Sequence, residues 1–151
     1  MTSTSLSQLY QRVIEDHMGL LTRVDDDGDV HFRHPEYGHF YIALDAERDP
    51  EYLSICYPNF MSEESTPLGV AEVLPLINQT NRSCKAAHAW LVEHAGGFRI
   101  SGSVGCFLAA CDQAPSAGLI QVVLPRNLAA LRHLARTVQQ ACQEQAAAST
   151  H

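Results

Sequence analysis

The sequence predicts an α+β fold: a helix, an antiparallel meander, a second helix, a two-strand hairpin and a third helix. Three observations carry this. Apolar residues recur at three- and four-residue spacing at both ends of the chain. Between them lie runs of strict apolar–polar alternation. Those runs are punctuated by Asp-Gly and Gly-Gly, which favour tight reversals.

Leu6, Leu9, Tyr10, Val13, Ile14 and His17 form one stripe of a helix over 6–18. Ser5 and Gln8 have the spacing of a capping box, and Gly19 is the expected stop. Leu20–Val24 reads as a short strand. Asp25-Asp26-Asp27-Gly28-Asp29 reads as a hairpin turn. The next strand, about 29–34, puts Val30 and Phe32 on one face and His31 and Arg33 on the other. After the His34–Gly38 turn, Phe40, Ile42 and Leu44 alternate with His39, Tyr41 and Ala43. Tyr52–Tyr57 is a further strand, with Leu53 and Ile55 inward. The overall plan expected is helix–three strands–helix–two strands–helix.

Pro58–Thr66 is expected to be a loop, with Thr66-Pro67 capping a helix that reaches Asn81. Pro75 leaves two alternatives open: a helix kinked there, or one that starts later with Pro75 in its first turn. Ala86–Val92 is a strand showing His88, Trp90 and Val92 on one side. Ala95-Gly96-Gly97 turns it into a partner carrying Phe98, Ile100, Val104, Cys106 and Leu108, in which Gly102 and Gly105 mark bulges or close packing. Leu119–Leu124 is ambiguous between strand and helical turn. Pro125 is expected to open the last helix, striped by Leu128, Leu131, Leu134, Ala135, Val138 and Cys142, and the tail from Gln145 to fray. The 151 residues suit one domain, 1–151, with an ordered core of about 6–145.

Composition narrows the function classes. At 46% hydrophobic and 18% charged, the chain is too apolar for disorder. Ten basic against seventeen acidic residues give a formal charge of −7. Without a basic cluster, binding along a nucleic-acid backbone is not expected. The N-terminus lacks the pattern of a signal peptide, and no run approaches a membrane span. A cytoplasmic protein with no membrane or nucleic-acid partner is the expectation. The five cysteines are then free thiols, mostly structural.

No catalytic constellation, cofactor site or metal site is expected. The Asp-rich turn fails the calcium-loop pattern, with Arg23 at its first position and His34 where a glutamate is required. His31 and His34 lie on opposite strand faces, so His31, His34 and His39 do not converge on one metal. Ser101 and Ser103 lack the strand–Ser–helix context of a nucleophile elbow. The outer face of the meander is the candidate protein-binding surface. It carries His31, Arg33, Tyr41 and Tyr52, flanked by His39 and Ser54, a composition common at interfaces.

The element order, the Ile77-Asn78-Gln79-Thr80-Asn81 helix end and the Lys85–Val92 strand resemble the YbjN-like family over about residues 6–145. That family shares a fold with type III secretion chaperones. The resemblance implies a bent antiparallel sheet flanked by helices and a homodimer without inherited catalytic residues. It also implies a non-enzymatic, chaperone- or adaptor-like module that captures a segment of another protein. Asn78 and Asn81 carry the resemblance and read as structural caps. The alternative is a small-ligand or metal-dependent regulatory protein that uses the histidines and cysteines.

Overall fold

The structure is a computed structural model and describes residues 5–150. Ten elements follow one another: α1 (Leu6–Met18), β1 (Thr22–Val24), β2 (Val30–His34), β3 (Gly38–Ala43), β4 (Tyr52–Ser62), a 3-10 turn (Glu63–Ser65), α2 (Val70–Ser83), β5 (Ala87–His94), β6 (Gly97–Phe107) and α3 (Ala117–Ser149). The six strands form one open antiparallel sheet in the order β1-β2-β3-β4-β6-β5. The α+β plan of meander, helix, hairpin and helix is therefore present. Four strands precede α2, one more than the plan of three.

The first helix is delimited by local chemistry. The Ser5 hydroxyl accepts from the Gln8 backbone N–H, and the Gln8 side chain accepts from the Ser5 N–H. Gly19 ends the helix at φ 66°, where a side chain would be strained.

The chain divides into two compact units. In the first, residues 1–56 and 105–128, Leu6, Tyr10, Val13 and Ile14 of α1 are buried with the inward residues Val30, Phe32, Phe40, Ile42, Leu53 and Ile55. Each such side chain contributes about 1.5–3 kcal/mol relative to exposure. In the second, residues 57–104 and 129–151, the core holds Val73 and Ile77 of α2, Ala87 and Ala89 of β5, Phe98 and Ile100 of β6, and Leu131, Leu134 and Val138 of α3.

The prolines account for most departures from expectation. α2 runs from Val70 to Ser83 with Pro75 inside it, beyond the first turn, which rules out a helix that starts at the proline. Its N-cap is Gly69; Thr66 instead accepts from the Leu68 N–H in the preceding turn. Pro125 lies inside α3 rather than opening it, and the ambiguous 119–124 segment is helical. A proline costs a helix about 3 kcal/mol. Ile120, Leu124, Leu128, Leu131 and Leu134 continue one buried stripe across it, which outweighs that cost. The expected frayed tail is helical as far as Ser149.

β4 also continues beyond Tyr57 into the expected loop. Asn59 takes φ 50° within the strand, its N–H bonded to the Ser101 hydroxyl, and Met61 returns to the core. Pro58 and Asn59 made this stretch read as a loop, because neither is a usual strand residue.

Candidate functional site

Two features stand out, one in each unit. The first is a polar cluster on the outer face of β1–β4. Antiparallel register pairs Arg23 with His31, His31 with Tyr41, Arg33 with His39, and Tyr41 with Cys56. Alternation turns all of these away from Val30, Phe32, Phe40 and Ile42, as the sequence predicts.

The cluster is connected. The Asp-rich segment folds as the expected hairpin turn: Gly28, at φ 87°, donates its N–H to the Asp25 carbonyl, and Asp25 Oδ1 accepts from the N–H groups of Asp27 and Asp29. The other Asp25 oxygen lies 2.8 Å from His31 Nε2. His31 Nδ1 in turn lies 2.8 Å from His39 Nε2, with the rings 7° from coplanar. With a carboxylate at Nε2, His31 donates there. Its Nδ1 then accepts from His39, and His39 Nδ1 is left with a lone pair. Tyr41 stacks on His31 at 5.2 Å, and its hydroxyl is hydrogen-bonded to the Cys56 side chain.

The electrostatics follow from these contacts. The His31 hydrogen bond is the main reason the Asp25 carboxyl is held below its ordinary range. Burial, then the charges of His31, Arg33 and Arg23, lower His39. The Cys56 hydrogen bond and burial push the Tyr41 phenol up to about 12.

The cluster joins three of the four residues named from the sequence, His31, Arg33 and Tyr41. Tyr52 is on the same face but packs on Phe107, ring centres 5.0 Å apart. Asp25 and Cys56 were missed as members. Asp25 was read as a turn residue and Cys56 as structural, and only the strand register brings them to the histidines. Two nitrogens 2.8 Å apart share a proton; ligands of one tetrahedral zinc stand about 3.3 Å apart. Among the described residues no group of three or more His, Cys, Asp or Glu is arranged to hold a metal. Neither Cys111, raised chiefly by Asp112, nor Cys142, raised by burial, is an activated thiol.

The second feature is the free edge of β5. Asn81, near the end of α2, donates from Nδ2 to the Ala89 carbonyl and accepts the Ala89 N–H at Oδ1. The backbone groups of Ala89 therefore point away from β6. Leu91 and Glu93 share its parity and turn the same way, past the reach of Asn81. Beside them Trp90 and Val92 are exposed. A groove of about 530 Å³ between α2 and α3 in this unit is lined by Gln79, Thr80, Thr137, Gln140 and Glu144 among others. It offers hydrogen bonds but no acid–base pair.

No family model matches the chain, and no curated protein does. Among solved structures it is similar to YbjN from E. coli, described as a candidate transcription regulator. The TM-score is 0.59 at 14% identity, covering 93% of each chain. The similarity shows a YbjN-like fold. No described helix is long and apolar enough to cross a membrane.

Proposed function

We propose that this chain is a non-enzymatic protein-binding module, chaperone- or adaptor-like, that captures an extended segment of a partner protein along the edge of β5. The observation that carries this reading is the Asn81–Ala89 pair. A side-chain amide there makes the two hydrogen bonds that a neighbouring strand would make. Leu91 and Glu93 present the same donors and acceptors without such a plug, and an unpaired edge is a template for strand addition. Trp90 and Val92 supply apolar contact for alternate side chains of the incoming segment. A regulatory role through a protein partner is in keeping with the description of YbjN.

The face bearing His31, Arg33, Tyr41 and Tyr52 is less suited to this task. His31, Tyr41 and Tyr52 are engaged by neighbouring side chains. A captured strand needs backbone groups, which the interior of a sheet does not offer.

A photo-crosslinking residue at position 92, introduced in the native cell, tests the reading. Capture of one dominant partner through a short contiguous segment is expected. It should be lost in Glu93→Pro, which removes one outward N–H at an edge position that tolerates proline. Equal capture by a folded Glu93→Pro protein overturns strand addition. Crosslinks solely to a second copy would replace it with an edge-to-edge homodimer.

A further inference from the structure

A cleft of about 240 Å³ opens beside the polar cluster in the first unit, and its walls carry Arg23, His31, Arg33 and His39 with Leu21 and Thr22 at the rim. We propose that this cleft is a binding site for the phosphoryl group of a small molecule, a function separate from strand capture at β5.

Charge is the first argument. The chain is acidic overall, yet here two guanidinium groups and two imidazoles meet on three adjacent strands. Neither Arg23 nor Arg33 has an ion-pair partner among the described residues. Asp25, the acid in contact with His31, is engaged by that ring. Burial first, then His31, Arg33 and Arg23, hold His39 below its ordinary value, so both arginines lie near enough to act on that ring.

Preorganisation is the second. His31 is 16% exposed and fixed from both sides, by Asp25 and by His39. Arg23 and His31 are directly opposed in register, as are Arg33 and His39. Both arginines thus stand on paired strands rather than on a loop. Planar guanidinium groups match phosphate oxygens in pairs. Two arginines suit a dianion better than a single carboxylate.

The rim is the third. Leu21 is 90% exposed at the mouth of the cleft. It offers apolar contact to the carbon body of a phosphomonoester, while the cleft is too small for a folded partner.

The test is a titration of the full chain at pH 6.5 with inorganic phosphate and, separately, glycerol 3-phosphate, followed by the ring C–H signals of its histidines. Chloride at equal ionic strength is the control. Saturable shifts at His31 and His39 are expected. Arg23→Gln with Arg33→Gln should weaken binding at least about tenfold, as expected for loss of charge-assisted hydrogen bonds. Tighter binding of glycerol 3-phosphate identifies an ester as the ligand class; equal binding identifies free phosphate. Shifts that stay linear, or that are the same in chloride or in the folded double variant, overturn the site. Because β5 has no part in this titration, failure of strand capture leaves the result intact.

Discussion

Asn81 makes both backbone hydrogen bonds of Ala89: its Nδ2 donates to the Ala89 carbonyl at 3.0 Å, and the Ala89 N–H donates to Oδ1 at 2.8 Å. A helix side chain thereby stands in for a strand at the edge of the sheet. Ala89 is 6% exposed, so water cannot readily replace the lost partner. Asn81→Ala should destabilise the protein by about 1–3 kcal/mol. Asn81→Asp should cost more at neutral pH, because a carboxylate oxygen would face the Ala89 carbonyl. Urea denaturation of the three proteins checks this, and a smaller cost for Asp than for Ala would contradict the assigned amide orientation.

Stability should respond to acid in two steps. His39 is held below its ordinary 6.5, chiefly by burial and then by His31, Arg33 and Arg23. As pH falls below about 6.5, the unfolded chain takes up this proton before the folded one does, so stability drops. Asp25, lowered from 3.8 first by His31, contributes stability that is present above that value and lost as pH falls through its folded pKa. Urea midpoints between about pH 3 and pH 8 should show both losses. His39→Gln should flatten the first and Asp25→Asn the second. An unchanged slope near pH 6 in His39→Gln would assign that step to another histidine.

The sequence was most legible where one local signal had no competitor. Ser5, Gln8 and Gly19 delimit α1 as expected, and Asp27-Gly28 and Gly96-Gly97 mark two of the hairpin turns. It was least legible at Pro75 and Pro125, where a buried apolar stripe overrides a local penalty, and at Pro58–Asn59, where a strand absorbs an irregular residue. The polar cluster was half legible. Alternation placed His31, His39 and Tyr41 on one face, but Asp25 and Cys56 join them only through cross-strand register and a turn, which no periodicity encodes.

Tyr41 should keep its proton unusually long. Its hydroxyl is bonded to the Cys56 side chain and partly buried, and its pKa lies at about 12. Alkaline difference absorbance, with Tyr41→Phe subtracted to isolate the residue, should show this late titration. Cys56→Ala removes the largest cause and should shift the transition toward the ordinary 10. If the transition in Cys56→Ala is unmoved, burial rather than the thiol holds the proton.

Gly105 and Tyr52 should behave as one unit. A Cβ built at Gly105 would run into the Tyr52 hydroxyl and its ring carbons, so the glycine reflects close packing rather than a special φ. The tyrosine ring in turn rests on Phe107. Gly105→Ala should therefore cost about 1–3 kcal/mol by overpacking. In Tyr52→Ala the obstructing ring is gone, and a further Gly105→Ala should then cost little. The double variant should lie well above the sum of its singles, with a coupling of about 1 kcal/mol or more. Denaturation of the four proteins gives that coupling directly. Additive losses would mean that the Tyr52 ring swings into solvent at no cost. Tyr52 would then be the adaptable surface residue that alternation alone suggests, and changes there could be read as effects on binding rather than on folding.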